Sequence, residues 1–299
     1  MKIIQSFWTK PILAENVNTG GSRMNGGWPH RMLNYCSWAM SCLQLRTFYD
    51  SVELVTDRLG KEILIDALQL PYSKVHVELD SLHAVHHGLW SIGKLYAYGM
   101  QKEPFIHVDN DVFIWADFGA ELCRGDVIAQ NVQYETSSYS NTFQDILKTF
   151  PCIPEYLRQY DGMKFVPCIN AGILGGNDIE FIKKYVNEAL TFIEDNKCQI
   201  IDRLSYTDFE DVNVICEQVM LSAFATAKEK KITCLFPDHK DVPDGIGVFH
   251  EARNNQQFVH CLGGYKKLRI VYAGLENRLR AAFPFYYKRI TDLISTIEL

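Results

Sequence analysis

Apolar positions recur along this chain in two periods, and the alternation between the periods carries the fold expectation. Residues 3–8 make an apolar run of strand length; after a glycine-rich connection, Pro29 opens a helix over about 30–48, with Leu33, Trp38, Leu43 and Leu45 among its apolar positions. A strand at 52–57, a helix over roughly 58–69 and a short strand at 74–77 follow. A further helix opens at His83, His86 and His87, runs through Tyr98 and carries Lys94. Next comes the apolar run that begins at Phe105. Strand, helix, strand, helix, strand, helix, strand predicts an α/β fold with a mostly parallel central sheet flanked by helices. Such sheets bind ligands beyond the carboxyl ends of their strands.

In the later half the pattern predicts a strand at 127–130, a polar loop over 134–141, a helical segment near 142–149 and a proline turn at 151–154. A buried strand then lies within 165–176, helices over 178–195 and 211–228, strands at 232–236 and 258–260, and a helical tail over 273–297 broken near Pro284. There is no internal repeat, low-complexity tract or linker. A single domain spanning 1–299 is therefore expected, with a second lobe grown from the later part of the sheet.

Composition narrows the function classes. With 299 residues, 47% of them hydrophobic, the chain can bury a substantial core, so it is neither disordered nor fibrous. Its net charge is −6 and no run of five basic residues occurs, which argues against a nucleic-acid partner. No stretch of about 18 apolar residues offers a membrane span, and the start is too short and too quickly polar for a secretory leader; a cytoplasmic location is expected. Nine cysteines without a Cys-x-x-Cys pair read as reduced core residues, not as a disulfide framework or zinc cage.

Chemistry concentrates in two stretches. In Phe105–Trp115 an apolar run leads into Asp109-Asn110-Asp111 and a second apolar run leaves it, placing two carboxylates at a strand end, where Asn110 tolerates the turn that would converge them on one ion. Hard oxygen ligands suit Mg²⁺ or Mn²⁺, although Asp-x-Asp alone is more often only a turn with self-bonded side chains. In His260-Cys261-Leu262-Gly263-Gly264-Tyr265-Lys266 a strand ends on a possible metal ligand, two glycines let backbone amides approach phosphate oxygens, and Lys266 adds a positive charge. Asn170-Ala171-Gly172 puts small residues after an asparagine on a buried strand, which indicates close approach of a backbone or a ligand. The glycine-rich segment 18–27 lacks the Lys-Ser/Thr ending of a P-loop and reads as a flexible loop or a lid. His83, His86 and His87 are not read as metal ligands, since neighbouring helical positions point different ways.

The order Asp109-Asn110-Asp111, Asn170-Ala171-Gly172, Glu217-Gln218 and His260-x-x-Gly263-x-x-Lys266 resembles the family 8 retaining glycosyltransferases of the GT-A fold, which include glycogenin and bacterial lipopolysaccharide galactosyl- and glucosyltransferases. The resemblance covers about residues 3 to 270 and would place the chain in a bacterial branch of GT-A-like proteins. It implies a GT-A domain with a nucleotide-binding half over 1–130, and an acceptor-side half with a C-terminal helix over 131–299. It implies that Asp109, Asp111 and His260 hold Mn²⁺ or Mg²⁺ against the diphosphate of a nucleotide sugar, with UDP as the nucleotide. On the same basis Lys94, Asp109, Asn110, Ala171, Gly172, Gly263 and Lys266 would contact the donor. Asn170, Glu217 and Gln218 would stand at the reacting sugar, Gln218 beneath the anomeric carbon. The implied activity is hexosyl transfer, with retention, to a glycan or lipid-linked acceptor. Two other readings stand beside it: a nucleotidyltransferase, and a catalytically silent GT-A-like protein that binds a nucleotide sugar or a partner. The aromatic and basic stretch 278–289 either rests on a membrane or packs its apolar face on the domain. Trp28, Tyr139 and Tyr265 are aromatics that could stack on a sugar.

Overall fold

Strands buried along their whole length organise the computed structural model, which describes residues 1–13, 25–134, 137–204, 209–249 and 257–297. The fold is α/β, with a mostly parallel central sheet flanked by helices. The chain forms two compact units. The first comprises Lys2–His83, Val108–Asp117 and Pro243–Leu299; the second comprises Ala84–His107 and Phe118–Val242, with Met1.

In the first unit β1 (Lys2–Phe7), β2 (Val52–Thr56) and β3 (Lys74–Val77) run in the order β3-β2-β1 and pair in parallel, Ile3 against Val52 and Glu53 against Lys74. All five residues of β2 are buried, the signature of a parallel strand covered on both faces. Asp57 ends this strand and caps the next helix: its side chain accepts from the Gly60 amide at 2.8 Å and from the Thr9 amide and hydroxyl at 2.7 Å each. The helix expected at 58–69 is α-helical only over Arg58–Lys61. It widens to a π-helix over Glu62–Ala67 and stops at Gln69, whose φ is +55°. The wider turn brings Leu64 and Leu68 into the core together.

The 18-residue helix Arg31–Phe48 packs on the helices Arg269–Ala282 and Pro284–Ile297 and on β5 (Val112–Ile114). Trp38, Leu54, Phe113, Phe249, Leu275 and Ile290 belong to the core they share. The tail breaks at Pro284 as expected. Its stretch 278–289 packs inward through Leu279, Phe283, Tyr286 and Tyr287, while Arg289 donates to the Ala67 carbonyl. Among the described residues no helix is long and apolar enough to cross a membrane.

The second unit holds β4 (Phe105–Val108) up to His107, with β6 (Val127–Gln133), β7 (Cys168–Gly176) and β8 (Ile232–Cys234), in the order β4-β7-β6-β8. Here β6 runs antiparallel to β7 and parallel to β8. A Cβ on Gly175 would stand 2.0 Å from the Phe105 carbonyl oxygen, so at this glycine the close neighbour expected from sequence is backbone. Helices Ser91–Gly99 and Ile179–Asp195 pack on each other.

Three expectations need correction in this region. The helix carrying Lys94 begins at Ser91 and not at the histidines. Asn213 caps it from a distance, accepting from the Ser91 amide at 3.0 Å and donating to the Gly88 carbonyl at 2.8 Å, while His86 and His87 stack in the connection with centroids 4.3 Å apart. The polar stretch 134–141 is not wholly a loop, because a helix starts at Ser137 and runs to Thr149; burial of Phe143, Ile146 and Leu147 outweighs the turn-like composition of its first residues. The helix expected at 211–228 is α-helical over Phe209–Val214, π-helical over Ile215–Val219 and α-helical again over Met220–Ala227.

All nine cysteines are free thiols. The core reading holds for Cys36, Cys42, Cys168, Cys216 and Cys261, but Cys152 and Cys198 are exposed.

Candidate metal centre

The aspartate turn of the first unit is built from below by one helix. Where β4 ends, the Val112 amide closes a turn onto the Asp109 carbonyl at 3.1 Å. Ser37 donates to the Asn110 carbonyl at 2.7 Å, Ser41 to the Asp109 carbonyl at 3.5 Å, and the Asn110 amide nitrogen donates to Asn34 Oδ1 at 3.3 Å. Asn34, Ser37 and Ser41 are buried polar residues spaced three and four apart on the Arg31–Phe48 helix, so they line one face beneath the turn. That polar stripe inside an apolar helix is a signal the sequence reading missed. It gives the turn its shape, because a buried carbonyl needs a donor.

The histidine arrives by strand pairing. In β9 (Phe258–His260), antiparallel to β5, His260 lies opposite Val112, and the Cys261 amide donates to the Asp111 carbonyl at 3.0 Å. Asp109, Asp111 and His260 thereby offer ligand atoms that all lie within 4.8 Å of one another. Asp111 and His260 are buried and Asp109 is half-exposed. Two hard oxygens and an imidazole form a donor set that suits a divalent ion completed by water and ligand oxygens. The residues fit the Mn²⁺ or Mg²⁺ that the motifs imply, and the three could hold such an ion.

Lys266 completes the centre. Its Nζ lies 2.7 Å from Asp111 Oδ2, while His260 Nε2 stands 3.4 Å from Oδ1. Burial pushes the Asp111 carboxyl up, but Lys266 and His260 together outweigh burial and hold it well below the usual carboxylate range. The same ammonium donates to the Gly26 carbonyl at 3.1 Å and stands 5.8 Å from the centroid of the Trp28 ring. Gly26 and Gly27 make this approach possible. Their φ values are +61° and +82°, and a Cβ at Gly26 would meet Asn34 Oδ1 at 2.5 Å. The lid reading of segment 18–27 falls largely outside the described residues; its end is a tight turn tied to Lys266. Trp28 is 1% exposed and so presents no face to a sugar, and the same holds for the buried Tyr139, whereas Tyr265 is exposed. Gly263 is exposed with open space around it.

The remaining expected residues lie in the second unit. Glu217 is wholly buried on the π-turn; Lys94 Nζ lies 2.8 Å from its Oε1, Tyr98 donates to the same oxygen at 2.6 Å, and Tyr185 donates to its backbone carbonyl. Among the described residues Glu217 Oε2 has no hydrogen-bond partner. Glu217 lies on the π-helical turn Ile215–Val219, which widens the helix at this point. Gln218 is half-buried, with its Oε1 3.9 Å from Cys168 Sγ. Asn170 and Ala171 are buried on β7, where Asn170 Oδ1 accepts from the Gly172 amide at 3.0 Å. Tyr98, Tyr185 and His107 gather around Lys94 and Glu217 without any sequence signal, since their spacing along the chain follows no motif.

These features define an α/β protein with a candidate divalent-metal centre at the end of a central strand. The chain belongs to the family described as "Family of unknown function (DUF6734)", whose model matches residues 1–293. No curated protein matches it in sequence. Among solved structures, mouse xyloside xylosyltransferase 1 in its apo form aligns with a TM-score of 0.40 and 11% identity, over 87% of this chain and 96% of that one.

Proposed function

We propose that this chain is a metal-dependent glycosyltransferase of the GT-A type, taking a sugar from a UDP-sugar and passing it to a glycan or lipid-linked acceptor. The observation that carries the proposal is the convergence of Asp109, Asp111 and His260 within 4.8 Å, with Lys266 2.7 Å from Asp111. A divalent ion in such a set of ligands, with a lysine ammonium beside it, suits the oxygens of a diphosphate.

When bound, a divalent ion supplies Lewis-acid stabilisation of the negative charge that grows on a departing diphosphate. Lys266 adds its own charge to the same oxygens, and both effects strengthen as the charge develops, which is how binding lowers a barrier. Asp109, Asp111 and His260 would hold the ion, and Gly263, exposed and unobstructed, would let a backbone amide meet phosphate. The roles of Lys94, Asn170, Ala171, Gly172, Glu217 and Gln218 rest on the motif order. In that assignment the Gln218 carbonyl oxygen faces the anomeric carbon and stabilises positive charge there, so configuration is retained without a strong protein nucleophile. The nine free thiols support a reducing, cytoplasmic setting.

Calorimetric titration of UDP, with and without Mn²⁺, into the wild type and an Asp109→Ala/Asp111→Ala variant tests the donor site. Binding that needs both the ion and the aspartates is expected. Screening UDP-sugars for UDP release then tests turnover, and binding without any release would support the silent-binder reading. A β-linked product from an α-linked donor would exclude retention.

A further inference from the structure

Both oxygens of Asp111 are engaged, Oδ1 by His260 and Oδ2 by Lys266, and the residue is 7% exposed. A divalent ion liganded by this carboxylate would meet an ammonium on the same group, and two like charges that close in a buried place repel strongly. Lys266 has a second anchor, the Gly26 carbonyl, and its side chain runs along Gly27, where a Cβ would stand 3.2 Å from Lys266 Cδ. It therefore links the carboxylate that would take the ion to the turn that carries Trp28.

We propose that Lys266 is a built-in competitor at the ion site: a divalent ion displaces its ammonium from Asp111, and the displacement is transmitted to the Gly26–Trp28 turn. The inference rests on the metal centre of the proposed function but not on sugar transfer. Lys266 sets how tightly the ion binds, and the ammonium so released is the cation at hand for a diphosphate. Ion and diphosphate would then bind with positive coupling, each favouring the arrangement the other needs.

The test uses the metal alone. Mg²⁺ and Mn²⁺ are titrated calorimetrically into the wild type and into Lys266→Met, Lys266→Arg and Asp111→Asn variants, with Mg²⁺-dependent tryptophan emission followed in parallel in the wild type and Trp28→Phe. Removing a charged contact to a carboxylate is expected to tighten ion binding in Lys266→Met by about tenfold to a hundredfold. Lys266→Arg, which keeps the charge, should bind no tighter than the wild type, and Asp111→Asn should lose binding. Wild-type emission should change at the calorimetric midpoint, and Trp28→Phe should remove that change. Equal or weaker ion binding by Lys266→Met overturns the competitor role and leaves the metal centre intact. No ion binding by any form overturns the metal centre and this inference with it. Should Lys266→Met fail to fold, calorimetric binding by the wild type without a Trp28-dependent emission change is the overturning result.

Discussion

Lys94 Nζ lies 2.8 Å from Glu217 Oε1, and the carboxylate is fully removed from solvent. Breaking such a pair from one side leaves a buried charge uncompensated, at a cost of about 3–5 kcal/mol. Lys94→Met should approach that loss in urea unfolding, because the Glu217 carboxylate then keeps the Tyr98 hydroxyl as a donor but loses its ammonium partner. Glu217→Gln should cost less, since Lys94 retains some access to solvent. The double variant should recover part of the loss. Strictly additive single losses would show that the pair is not coupled.

The pair also marks where sequence reasoning stops. Lys94 and Glu217 carry no local pattern that relates them, and the π-turn that aims Glu217 has no composition cue. By contrast, the Phe105–Trp115 stretch announces itself: every position of β4 and β5 is buried, and a buried strand can end on polar residues only where something receives them. His260 was legible as a strand-ending residue, but its partnership with Asp111 depends on the antiparallel register of β5 and β9. Asn34, Ser37 and Ser41 had a readable spacing that is easily passed over among Leu33, Trp38 and Leu43. The misplaced helix start at the histidines has a tertiary cause, because the cap that sets it, Asn213, comes from far along the chain.

His107 sits inside β4 at 1% exposure, and burial, reinforced by the nearby Lys94, holds its imidazole well below the usual value. The folded protein thus keeps this ring neutral while the unfolded chain protonates it near pH 6.5. The stability it supports is complete above that value and is lost as pH falls below it, at up to about 1.4 kcal/mol per unit. Urea midpoints at pH 7.5, 6 and 5 should fall less steeply for His107→Gln than for the wild type. Parallel slopes would mean that His107 does not titrate on unfolding.

Thiol reactivity should sort by burial. Cys152 and Cys198 are exposed and should label first with a thiol-specific reagent in the native protein. Burial pushes the Cys216 thiol up to about 12 and, reinforced by Glu276, the Cys36 thiol also to about 12. Raising the pH from 7 to 9 should leave both essentially unlabelled, because the reactive thiolate stays scarce and enclosed. Labelling of all nine should require denaturant. Mass spectrometry of peptides after timed labelling distinguishes the classes, and rapid native labelling of Cys36 or Cys216 would contradict the packing around them.

Gly175 and Gly119 separate two reasons for a glycine. At Gly175 a Cβ would meet the Phe105 carbonyl oxygen at 2.0 Å and the Ile106 Cα at 2.9 Å. Both obstacles are backbone atoms of a neighbouring strand, which cannot swing aside as a side chain would. Gly119 has a φ of +74° and open space where a Cβ would go, so alanine there meets only the intrinsic penalty of the left-handed region, about 1–2 kcal/mol. Gly175→Ala must instead separate β7 from β4, and a loss of about 4 kcal/mol or more is expected, large enough to deplete the folded state of an ordinary domain. Thermal melting of the two variants beside the wild type decides the matter. Similar small losses in both would mean that β7 and β4 can part locally, and the β4 end that carries Asp109 would then be a softer platform than its burial suggests.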